Sequence, residues 1–124
     1  MFVEIQETVR FLSSFMYGRI PRSRVKAFCS HLTSLLTETF DGKPDDARHD
    51  LIVFAEGKSD ETIQQAARRA YVHVGELQEC MNAGMIMEIT KGRVRALTPS
   101  SAQIIFPRAQ GVSNGPMMPR FQEV

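Results

Sequence analysis

His31, His49, His73, Cys29 and Cys80 have the widest chemical range of any side chains here, and their spacing assembles no site. None stands at a metal-ligand interval from a cysteine or from another histidine. Cys29 falls on an apolar helical stripe, so it reads as a core thiol rather than a nucleophile, and Cys80 reads the same way. Asp45-Asp46 is an adjacent acid pair in a polar stretch, where solvated carboxylates are the ordinary outcome. The sequence contains neither a glycine-rich phosphate loop nor a Gly-x-Ser-x-Gly elbow. The expectation is a protein that is not an enzyme and needs no cofactor or metal.

Cationic side chains offer the other chemistry. Arg19, Arg22, Arg24 and Lys26 cluster at the start of one helix, Arg68-Arg69 form a second group, and Lys91, Arg93 and Arg95 line a hairpin. Alternation in Arg93-Val94-Arg95 puts both guanidinium groups on one strand face, with Val94 opposite. Such groups suit a solvated face, or phosphate contacts with RNA. Reading single-stranded RNA also requires exposed aromatic rings, and most aromatics here sit on apolar stripes, with no tryptophan. A direct RNA-binding module stays open as the second reading.

These residues must be carried by one small scaffold. A chain of 124 residues has room for one domain with one core, and 43% hydrophobic residues suit a globular protein. Fifteen Lys and Arg against fourteen Asp and Glu leave a net charge of +1, so there is no general pull toward nucleic acid or membrane. No apolar run approaches the ~20 residues needed to span a bilayer. The start, MFVEIQETVRFL, carries two glutamates where a signal peptide would carry basic residues. Two cysteines set no disulfide framework, which fits a reduced compartment, cytoplasmic or nuclear.

Periodicity predicts the elements. Ile5, Val9, Leu12 and Met16 make a helix over 2–17, ended by Gly18. Val25, Phe28, Cys29, Leu32, Leu35 and Leu36 make a second over 21–39, with Pro21 in its first turn. So short a connection predicts an antiparallel helix hairpin. DGKPDDARHD (41–50) reads as a loop, and residues 51–55 as one buried strand. Ser59 reads as the N-cap of an alanine-rich helix through Ala70, and a short helix follows over 75–82. A hairpin over 85–97 turns at Lys91-Gly92, and 103–106 adds a strand. The expected fold is α/β of the α+β type, with the helix hairpin and further short helices on a small, mainly antiparallel sheet. Residues 1–106 form the domain, and 107–124, rich in Pro, Gly, Asn and Ser, a flexible tail.

Several stretches in this order resemble the BTG/Tob antiproliferative family. They are Glu4-Ile5 with the apolar positions to Phe15, IPRSRVKAFCSHLTSLLTETF (20–40), DETIQQAARRAYVHVGELQECM (60–81) and MIMEITKGRVRAL (85–97). The resemblance covers about residues 2–106. It implies an adapter without catalysis that represses proliferation, docks on the catalytic subunit of the cytoplasmic mRNA deadenylase complex and reaches RNA indirectly. Some members of the family act with transcription factors in the nucleus.

Departures fall on the family's two docking boxes. Of the first, which holds a His, an aromatic pair, Pro and Glu ahead of Lys-Pro, this chain keeps Lys43-Pro44. In the second, Glu88, Thr90 and Lys91 stand where the family has a Trp, an acid and a Pro. Aromatic anchors dominate interface energies, so their replacement removes several kcal/mol of docking. A glutamate at the Trp position needs a charged partner if buried. The expected partner-binding residues are Lys43, Pro44, Glu88, Thr90, Lys91 and Arg93. Three outcomes fit: retained deadenylase docking through a repositioned surface, a different regulator of messenger RNA, or self-association. Seven methionines and eight phenylalanines supply apolar surface for a homo-oligomer if the core leaves them uncovered.

Overall fold

The computed structural model describes residues 1–44, 46–81 and 84–107. In chain order these form α1 (Phe2–Ser14), α2 (Arg22–Phe40), β1 (Arg48–Phe54), α3 (Glu61–Arg69), α4 (Val74–Met81), β2 (Met85–Thr90), β3 (Arg93–Thr98) and β4 (Ser101–Phe106). The strands pair antiparallel throughout, in the spatial order β1-β2-β3-β4. The expected α+β architecture is the one observed. Of the tail expected from residue 107 onward, all but Pro107 lies outside the described residues.

α1 lays Ile5, Val9 and Leu12 into the core, against α2 and the inner face of β2, β3 and β4. It ends three residues earlier than its apolar stripe suggests. Phe15 N–H bonds Leu12 O at 3.2 Å, and Met16 N–H bonds Ser13 O at 2.9 Å. These tighter bonds close the last turn, and Met16 is buried from the connection instead. Glu4 ties α1 to the sheet: its buried carboxylate accepts the Gly92 N–H of the β2–β3 turn at 2.7 Å.

α2 buries Val25, Phe28, Leu32, Leu36 and Phe40, each three or four residues from the last. Cys29 and Leu35 flank that stripe and are partly buried, so Cys29 is not the fully enclosed thiol expected. The same correction applies to Cys80 on α4. α2 rests on α1 and α3 and meets the sheet through Phe40, whose ring stands edge-on to His49 of β1 at 5.9 Å.

β1 begins at Arg48, where a loop was expected, because Arg48 and Asp50 alternate with buried or half-buried His49 and Leu51. Beyond β1, Asp60 rather than Ser59 is the N-cap of α3. Ser59 Oγ donates to Val53 O at 2.7 Å, and Asp60 Oδ2 accepts Ile52 N–H at 2.7 Å, so both side chains serve β1. The small face of α3, Ile63, Ala66 and Ala67, is fully buried against β1 and α2.

α3 ends in a Schellman motif. Val72 N–H bonds Ala67 O at 2.8 Å, and Tyr71 N–H bonds Arg68 O at 3.1 Å. That places Tyr71 at the left-handed position, φ 58°, where glycine is the usual residue. A tyrosine there costs roughly 1–2 kcal/mol of backbone strain. Its ring is 84% exposed, so packing returns little of that cost. Tyr71→Gly should therefore raise the thermal midpoint by about 3–5 °C in a calorimetric scan. An unchanged or lowered midpoint would show that the ring stabilises the fold.

Candidate partner-binding surface

Strand register decides which side chains meet on the helix-free face. Asp50, Glu88 and Arg95 lie in one row across β1, β2 and β3, and Arg48, Thr90 and Arg93 in the next. Glu88 is the centre of this group and is 4% exposed. Its Oε1 accepts Arg95 Nε at 2.7 Å and lies 3.7 Å from Arg93 Nη2, and its Oε2 lies 3.5 Å from Arg48 Nη1. Arg48 also grips Asp50 with two bonds, Nε to Oδ1 at 3.1 Å and Nη2 to Oδ2 at 2.9 Å. That hydrogen bonding holds the Asp50 carboxyl below its usual range and pushes the Arg48 guanidinium up. Three guanidiniums against two carboxylates leave the group with one net positive charge. The glutamate expected to need a charged partner if buried is thus buried and matched with cations.

Beyond the charged rows the same face turns apolar. Ile52, Ile86 and Leu97 share the next row, and an open hollow of about 580 Å³ follows, bounded by Phe54, Met85, Ile86, Leu97 and Pro99.

At the other end, the β2–β3 turn meets the α2–β1 connection. Lys43, Pro44 and Lys91 converge with Met1 and Phe40 around a pocket of about 180 Å³. The six expected partner-binding residues therefore divide between two neighbouring places. Lys43, Pro44 and Lys91 line the pocket, while Glu88, Thr90 and Arg93 belong to the charged rows, with Thr90 Oγ1 donating to Arg93 O at 3.2 Å. His49 was expected in the loop and instead sits on β1 behind Phe40, its Nε2 buried without a hydrogen-bond partner. Arg48 and Asp50 entered the sequence reading only as part of the 41–50 loop, and Phe40 and Met1 escaped it as site residues. The signal for the first two was the alternation Arg48-x-Asp50-x-Ile52-x-Phe54, which extends the strand pattern back from its apolar run.

The other basic cluster lies elsewhere. Arg22 stacks over the Tyr17 ring at 5.7 Å, Arg24 donates to Tyr71 O at 3.4 Å and faces Glu76 at 4.0 Å, and Arg19 donates to Glu79 O at 3.4 Å. Lys26 is exposed. None of the four lines the pocket or the charged rows.

Among the described residues, no group of three or more His, Cys, Asp or Glu is placed to hold a metal ion, and no helix is long and apolar enough to cross a membrane.

Four helices and a four-stranded antiparallel sheet with one free face define the class, an α+β domain. A sequence model of the BTG family matches residues 1–105, and the chain belongs to that family of antiproliferative, non-catalytic adapters. Among solved structures it is similar to a doubly substituted form of the C. elegans FOG-3 BTG/Tob domain, with a TM-score of 0.73. That match has 20% identity over 85% of this chain and 89% of the other, a likeness of fold. No curated protein matches the sequence.

Two measurements check the electrostatics. Glu88→Gln should lower urea-unfolding stability by about 2 kcal/mol, because three cations lose their shared carboxylate. Adding Arg95→Gln should cost less than the two single changes together, and strict additivity would show that the pair is not coupled.

His49 supplies a pH dependence. Burial lowers its pKa, with Asp60 and Asp50 opposing and Lys43 assisting. The folded chain keeps the ring neutral while the unfolded chain takes up a proton near pH ~6.5, so stability is full above that pH and falls as pH drops through it. In urea titrations His49→Phe should flatten the stability profile between about pH 5 and 7. A profile as steep as the parent's would assign the slope to other groups.

Proposed function

We propose that this chain is an adapter acting on messenger RNA deadenylation and translation, in the cytoplasm or the nucleus, by holding a protein partner against the pocket and the charged rows of the sheet. The convergence of Lys43, Pro44 and Lys91 on one pocket beside the free sheet face carries this reading. These positions resemble the family's two docking boxes; Lys43 and Lys91 are 48 positions apart in sequence and line the same pocket. The partner that the family implies is the catalytic subunit of the cytoplasmic deadenylase, and RNA is reached through it.

The chemistry of the surface has changed relative to the family. An aromatic anchor adds area in a desolvated pocket, whereas Glu88 with its three arginines adds a hydrated rim of net positive charge. Such a rim contributes to encounter rate and orientation more than to affinity. It favours a partner segment that carries carboxylates beside small apolar side chains.

Titration calorimetry with the purified deadenylase subunit tests this. The expected Kd is ~10 µM, weaker at higher salt, and Lys43→Glu with Lys91→Glu should weaken it at least ~10-fold. No heat at ~100 µM of each protein would remove the deadenylase from the proposal. Binding indifferent to both lysines would move the docking surface elsewhere.

A further inference from the structure

We propose that the end of the molecule built by the α1–α2 and α3–α4 connections binds single-stranded RNA, with bases stacked on Tyr71 and Tyr17 and phosphates held by Arg22, Lys26 and Arg69. This surface stands apart from the adapter site: α2 carries Arg22 at one end and Phe40 of the pocket at the other, roughly 27 Å away along its axis.

The first observation is charge segregation. Arg19, Arg22, Arg24 and Lys26 enter α2 while Arg69 closes α3, and Arg24 reaches the Tyr71 carbonyl at 3.4 Å, so the two connections adjoin. The acids nearest them are Glu76, which faces Arg24 at 4.0 Å, and Glu79, whose carbonyl accepts from Arg19. Five cations against two carboxylates leave three net positive charges here, on a chain whose total is +1. Arg22, Lys26 and Arg69 form no ion pair among the described residues, and all three are exposed. Arg68 is spent on Glu61 along its own helix, at 3.0 Å.

The second observation is aromatic. The chain has two tyrosines, and each adjoins the start of α2: Tyr17 lies under Arg22 and is 43% exposed, and Tyr71, whose carbonyl Arg24 holds, is 84% exposed. Tyr17 already presents its ring to Arg22, a cation–aromatic pair that a base can extend by stacking. Tyr71 holds its ring in solvent from the left-handed backbone position that glycine would occupy without strain. Strain of this kind gathers where a side chain serves a ligand rather than the fold. Exposed rings set among unpaired cations are the combination that single-stranded nucleic acid requires, and a solvated basic face has no use for the rings. An anionic membrane surface would use the charges and accept a tyrosine at headgroup depth as well, so vesicle adsorption is a separate arm of the test.

The test is fluorescence anisotropy of the intact chain with a labelled 12-nucleotide single-stranded RNA of mixed sequence. Affinity should fall with salt with a log–log slope of about −2, the value for three phosphate contacts on a single strand. Arg22→Glu with Lys26→Glu should abolish binding at 0.1 M salt while circular dichroism stays unchanged. Tyr71→Gly should weaken binding about tenfold although it leaves the fold more stable, and Tyr71→Phe should restore it. Binding equal for Tyr71→Gly and the parent would overturn the proposal. So would equal binding of a duplex of the same length, tighter binding of the matching DNA strand, or adsorption to phosphatidylserine vesicles without RNA binding. An absence of any anisotropy change at low salt would overturn it outright. The adapter reading survives each of these results, since its pocket shares no residue with this patch.

Discussion

Helices α1 and α3 cover one face of the sheet, and the alternating residues of the opposite face have to live against water. β2 is the strand most affected, because it is central and has neighbours on both sides. Its inward residues Met85, Met87 and Ile89 are core, and its outward residues must be satisfied without a covering layer. Glu88 is satisfied by guanidiniums from β1 and from β3: Arg95 stands opposite it in the register, and Arg48 and Arg93 reach it from the next row. Three guanidiniums crowd the carboxylate, and a charged residue on an open face is thereby 4% exposed. The network thus closes the middle of the sheet and leaves an exposed cationic rim.

Most of the scaffold was legible because its elements follow the two simple periods. α2 repeats every three or four residues from Val25 to Phe40, and the β2–β3 hairpin has Gly92 at φ 83° in the turn where the sequence placed it. The start of β1 was read as loop because Arg48, His49 and Asp50 follow a polar run; their alternation continues that of 51–54, and pairing with residues 88–90 fixes them as strand. Ser59 misled for a related reason: a hydroxyl suited to a helix cap was taken by a strand carbonyl that folding brought near. Both assignments are settled by contacts between segments apart in sequence, which local propensity does not contain.

The candidate site was legible by position but not by chemistry. Lys43, Pro44 and Lys91 could be singled out by their place in the resemblance, yet nothing local shows that they share a pocket with Met1 and Phe40. The convergence depends on Glu4, which clamps the β2–β3 turn through the Gly92 N–H and so brings Lys91 to the N-terminal end of α1. A carboxylate on the first turn of α1 thereby positions a residue 87 places further along the chain. Sequence reading took Glu4 as part of a resemblance and as a charge foreign to a signal peptide, not as a clamp.

The layout has a consequence for how strongly either surface needs to bind. The pocket and the tyrosine patch lie at opposite ends of α2, a rigid spacer of roughly 27 Å. Two sites on one rigid body, each engaging part of a single ribonucleoprotein, act at an effective concentration near ~1 mM, so the second contact forms readily even when its own affinity is modest. An interface built on a hydrated arginine–glutamate rim instead of a buried tryptophan is weak by itself. In a bivalent arrangement that weakness confers selectivity, because a partner is retained only where a strand is held as well. On the two proposals together, recognition would rest on two modest contacts acting jointly rather than on a single strong one.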